Sequence, residues 1–164
     1  MKKNFTEHGD AIIFSEKIDE KLRLFILVLE HYKKSADLFK EYQELYTLSS
    51  TQENQQLYTI MRDSMIQRFK RSVIFLWKIL TIYLQDIESI CFTVSPRKLI
   101  RKAVNARVLS ESQGIKSMDM INVYNQISLI YDTITPDDIA PQLLDQYDLM
   151  KEIIDRVQYL MMQK

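Results

Sequence analysis

Ile18, Leu22, Phe25, Leu29, Tyr32, Ala36 and Phe39 recur at alternating steps of four and three. That spacing keeps one stripe of a helix on one side, and a stripe this long is buried only if another element lies along it. The run predicts one helix from near Ser15 to about Leu48, or two with a break near Ser35. A second pattern of the same kind follows in Leu57, Met61, Met65, Phe69, Val73, Leu76, Leu80 and Tyr83, widened by Ile66, Trp77 and Leu84. So wide a stripe predicts a central helix with more than one neighbour. Two glycines and three prolines in 164 residues are too few to turn the hairpins of an all-β fold.

Local signals place the remaining boundaries. Ser50 with Glu53 reads as a capping box for the second helix. Ser95-Pro96 reads as an N-cap followed by proline at the first helical position, where its missing N–H costs nothing. Gly114 reads as part of a turn, and Ser117 as the cap of a fourth helix covering DMINVYNQISLIYD. Thr135-Pro136-Asp137-Asp138 reads as a further cap, with Pro141 expected to delay or kink a last helix through QLLDQYDLMKEIIDRVQYLMM. The whole is an all-α antiparallel bundle of about five helices. It forms one domain over 1–164, with 1–14 as a flexible N-terminal tail.

Composition narrows the function. Lys plus Arg and Asp plus Glu balance at 22 each, so no global charge draws the chain to nucleic acid or membrane. The run SVIFLWKILTIYL carries Lys78 and is too short to span a bilayer. One cysteine, Cys91, forms no internal disulfide and favours a reducing, cytoplasmic setting. His8 and His31 have no partners at metal-ligand spacing, and two glycines build no phosphate loop. No metal and no cofactor are expected. Locally, Arg62, Arg68, Lys70, Arg71, Lys78, Arg97, Lys98, Arg101, Lys102 and Arg107 face only Asp63, Asp86 and Glu88. This bias marks either a solvated, internally paired face or one that meets a phosphate-bearing ligand or an acidic partner.

Three blocks carry a family resemblance: IQRFKRSVIFLWKIL with Arg68-Phe69 and Trp77-Lys78, SPRKLIRKAVNARVL with Ser95-Pro96-Arg97 and Arg101-Lys102-Ala103, and MINVYNQISLIY. In order and spacing, from about Gln56 to Leu160, they resemble the nucleotidyltransferase substrate-binding family of the HEPN superfamily. The resemblance implies a small helical homodimer with HEPN-like up-and-down topology. It also implies a minimal nucleotidyltransferase partner in a toxin–antitoxin pair, and a nucleotide or RNA ligand.

Active members of that superfamily are implied to cut RNA without metal, through a motif of Arg-Asn, three residues, His, one residue and Tyr. With Asn125 as the fixed point, the Arg position is Tyr124 and the His position is Leu129, while Asn125, Ser128 and Tyr131 match. Moving the 2′-hydroxyl proton suits a histidine, and the developing phosphorane needs a cation or strong donors. Leu129 supplies neither, and Tyr124 carries no charge. The expected catalytic set is therefore empty. Positions 124 and 129 lie about 140° apart on a straight helix, whereas Tyr124, Ser128 and Tyr131 share a face if the helix continues.

By the same resemblance, Tyr131 is the candidate acceptor of AMP from the partner enzyme. Arg68, Lys78, Arg97, Arg101, Asn125 and Ser128 are the candidate binding cleft. The expectation is a non-catalytic partner subunit. Two rival readings fit the same residues: a divergent ribonuclease using Arg97, Arg101 or His31, and a purely structural helical adaptor.

Overall fold

The opening stripe folds as one unbroken helix, α1 (Glu7–Leu48), which begins inside the stretch read as a tail. The computed structural model describes residues 7–89, 95–130 and 132–163, with side chains from 18 onward. The sites read at His8 and Cys91 lie outside the described side chains. All seven stripe residues, Ile18 to Phe39, are buried. Ser35 does not break the helix, because its hydroxyl donates to the Tyr32 carbonyl at 2.8 Å and is satisfied within the turn.

A short turn reverses the chain into α2 (Gln52–Ile82). The expected Ser50 and Glu53 box is displaced by one residue. Thr51 is the N-cap and accepts from the Asn54 N–H at 3.2 Å, while Ser50 turns back to the Tyr46 carbonyl. α1 and α2 form an antiparallel hairpin riveted by aromatic pairs. Phe25 stacks on Phe75 at 5.8 Å, Tyr32 tilts on Phe69 at 5.9 Å, and Phe39 meets Tyr58 at 5.4 Å. α2 also touches the later helices, as its wide stripe predicts. It ends in a π-helical turn, Tyr83–Ile87, where the Glu88 N–H reaches the Tyr83 carbonyl.

α3 (Pro96–Asn105) begins as read, with Ser95 at the N-cap and Pro96 in the first turn, although the Ser95 hydroxyl makes no capping bond. α4 (Glu111–Ile127) starts earlier than expected. Its cap is Ser110, in a reciprocal box with Gln113, and Ser117 is buried in mid-helix. Gly114 lies inside the helix, not in a turn. It is there for close approach: a Cβ at this position would stand 2.6 Å from Cγ2 of Val104 on α3. Gly114→Ala is therefore expected to destabilise the protein by about 1 kcal/mol, the overpacking cost exceeding the gain in helix propensity. In a Val104→Ala background the same change should become stabilising, and urea titrations of the four chains check both signs.

Thr135 caps α5 (Pro136–Leu143) in a box with Asp138, as read. The expected single kinked last helix is two helices, α5 and α6 (Gln146–Met162). Pro141 sits inside α5 and cannot donate to the carbonyl four residues back, and α5 ends two residues later. The result is an all-α bundle with six α-helices among the described residues, against about five expected. The first and last parts of the chain meet where the buried Tyr32 hydroxyl donates to the Leu143 carbonyl. Among the described residues, no helix is long and apolar enough to cross a membrane.

Candidate functional site

The motif segment sits where α4 stops. Ser128 is the C-cap; its N–H and its hydroxyl both reach the Asn125 carbonyl, at 3.2 Å and 2.6 Å. The Leu129 carbonyl then accepts from the N–H groups of Asp132, Thr133 and Ile134. These bonds curl the chain into a corner that closes with an Ile130–Ile134 bridge. The continuous hydroxyl-bearing helix face through Ser128 is thus not formed, because backbone satisfaction passes from helical bonds to this turn. Tyr131 lies outside the described residues.

Tyr124 is half-buried and meets Trp77 of α2 edge-on, with ring centroids 4.9 Å apart and planes at 65°, a favourable geometry for two aromatic quadrupoles. The Trp77 indole nitrogen is buried without a partner among the described residues. Asn125, Ser128 and Leu129 are exposed at the corner. Leu129 presents hydrocarbon to solvent at the position where a proton-moving group would act.

The basic residues divide. Arg68 and Lys78 share an open groove of about 540 Å³ along α2 with Ser64, Gln67, Lys70, Arg71, Ile74 and Phe75. None of its four cations takes part in an ion pair among the described residues. Lys78 follows Trp77 in α2 but is turned about 100° from it around the helix axis, and Trp77 does not line this groove. Arg97 instead donates to the Asn122 side-chain oxygen at 2.7 Å, tying α3 to α4. Arg101 lines a separate, largely apolar groove with Ile100, Val104, Ile115 and Met118.

Arg62 leaves the basic face altogether. It bonds Asp63 and Asp137 at 2.9 Å each and is nearly buried, while the Tyr58 hydroxyl donates to the same Asp137 oxygen at 2.6 Å. Partial burial alone would raise the Asp137 pKa, but the Tyr58 and Arg62 bonds outweigh it and hold the carboxyl below its ordinary value. Burial, then the bond to Asp137, pushes the Tyr58 phenol up to about 12. This cluster fastens the start of α5 to α2 and takes the Arg62 cation away from any anionic ligand.

Ser64, Gln67 and Phe75 were not singled out as site residues. Their spacing with Arg68, Arg71, Ile74 and Lys78, at steps of three and four, was the available signal.

A family model described as nucleotidyltransferase substrate binding protein like matches residues 27–159. The chain belongs to this family. The match runs from the middle of α1 to the last turn of α6 and includes the α2 groove and the α4 corner. A crystal structure of a protein from Thermus thermophilus is similar, with a TM-score of 0.55 and 24% identity, covering 75% of this chain and 98% of that one. At that identity it speaks to the fold alone. No curated protein matches the chain.

Proposed function

We propose that the protein is a HEPN-like, non-catalytic partner subunit of a minimal nucleotidyltransferase, of toxin–antitoxin type, working as a cytoplasmic homodimer. The observation that carries the reading is the corner itself. Leu129 offers hydrocarbon and Tyr124 is packed against Trp77, so the positions that would move a proton and hold a phosphorane charge do neither. The unpaired cations of the α2 groove supply a surface for the phosphates of the nucleotide or of the partner's substrate.

In this reading Tyr131 is the acceptor. Its phenol oxygen attacks the α-phosphate of ATP bound to the partner, forming a phosphate ester to AMP. Pyrophosphate leaves, and the phenolic proton passes to a base of the partner. Incubation with the partner and ATP, followed by peptide mass spectrometry, is expected to show one AMP on the peptide containing Tyr131 and none in Tyr131→Phe. Purified protein alone is expected to leave RNA intact. Chelator-resistant cleavage that disappears on mutating a residue of this chain would establish the ribonuclease reading instead. An adduct persisting in Tyr131→Phe, or none with a demonstrably active partner, would leave the adaptor reading ahead.

A further inference from the structure

The face of α1 turned away from the bundle is itself patterned. Leu24, His31, Leu38 and Leu45 stand at intervals of seven, and each is followed three residues later by Leu27, Lys34, Glu41 or Leu48. The buried stripe lies on the opposite side of the same helix. Leu24, Leu27, Leu45 and Leu48 on this second seam are exposed, whereas Leu38 at its middle is half-buried in a groove shared with Lys34, Glu41 and Tyr147 of α6. A seven-residue repeat drifts about 20° per heptad on a straight helix, so it is satisfied by a second helix crossing at about 20°.

The order of residues along the seam selects the occupant. Reversed about position 36, the pattern maps onto itself. Leu24 falls opposite Leu48, Leu27 opposite Leu45, His31 opposite Glu41, and Lys34 opposite Leu38. Apolar layers then meet apolar layers at both ends. The polar middle sets the imidazole against a carboxylate, and Lys34 one turn from Glu41. A parallel pairing would place His31, Lys34 and Glu41 each against its own copy, a repulsive arrangement in two of the three layers. A two-fold contact requires this kind of self-complementarity, and a seam from 24 to 48 spans about 36 Å of helix.

We infer that the outer face of α1 is the homodimer interface, with a second copy of this chain packed antiparallel along it about a two-fold axis near position 36. This deepens the dimeric part of the proposed function by saying where the partner copy lies. Leu27 and Leu45 are exposed in one chain, so replacing them should leave the bundle folded. Sedimentation equilibrium of the parent chain is expected to give a dimer, weakened about 100-fold or more in Leu27→Glu/Leu45→Glu.

Orientation is read by disulfides in a Cys91→Ser background. A mixture of Leu27→Cys chains with Leu45→Cys chains should cross-link, and either chain alone should not. A parent dimer that survives Leu27→Glu/Leu45→Glu, or that cross-links Leu27→Cys to itself, overturns the α1 seam and leaves dimerisation standing. A parent that stays monomeric at high concentration overturns both, as does a stripe covered only when the nucleotidyltransferase is added.

Discussion

Phe69→Ala is expected to lower the stability of the protein by about 3–5 kcal/mol. Phe69 is fully buried at the middle of the α1–α2 hairpin, with its ring 5.9 Å from that of Tyr32. Truncation removes the transfer free energy of the ring and leaves a cavity between two long helices. Those helices are held apart on either side by the Phe39–Tyr58 and Phe25–Phe75 pairs, so they cannot collapse into the space. Phe75→Ala should cost less, because that ring is only half-buried. Urea denaturation followed by circular dichroism checks the order. Equal losses at the two positions would show that the hairpin closes around a missing ring.

Reversing three charges in the α2 groove, with Arg68→Glu, Arg71→Glu and Lys78→Glu together, is expected to weaken binding of ATP or pyrophosphate about 100-fold at low salt. Each exposed cation beside a phosphate contributes on the order of 1 kcal/mol in water, and reversal turns attraction into repulsion. The three side chains are exposed and form no ion pair among the described residues, Arg68 donating only to the Ser64 hydroxyl at 3.3 Å, so the fold should be unaffected. Parent binding should itself weaken as salt rises, because surface charges are screened over about 8 Å at physiological ionic strength. Titration calorimetry at two salt concentrations reads both effects. Salt-independent binding retained by the triple variant would remove the groove from the proposed function.

The long helices were legible in the sequence because their evidence is redundant: all seven apolar residues at helical steps in α1 are buried, and of the longer series in α2 all but Leu57, Met61 and Trp77, which are half-buried. Single-residue signals transferred less well. Gly114 reads as a turn on its own, but its role is set by Val104, a neighbour that only the packed structure supplies. The Ser110–Gln113 box was written in the sequence as Ser-x-x-Gln and lay hidden behind the stronger-looking glycine. Pro141 was read correctly as a disturbance, but whether it kinks one helix or ends another depends on where the next turn finds its hydrogen bonds.

The candidate site divides along the same line. The basic bias of α2 and α3 was visible, yet its partition was not. Arg62 is taken up by Asp137, which lies 75 residues further along the chain, and Arg97 is taken up by Asn122. The charges left free are decided by tertiary contacts. The degenerate motif was legible residue by residue, whereas the corner that ends α4 at Ile127 follows from bonds to the Asn125 and Leu129 carbonyls that no periodicity predicts.

The chain contains a single tryptophan, and it stands edge-on beneath Tyr124. Excited at wavelengths that spare tyrosine, the protein therefore emits from one place, the junction of α2 and α4 under the motif corner. The half-buried indole, sheltered at its nitrogen, makes that emission sensitive to any lifting of α4 from α2 and to any molecule settling against the corner. The molecule carries its own optical probe at the contact between Trp77 and Tyr124, with no label to introduce.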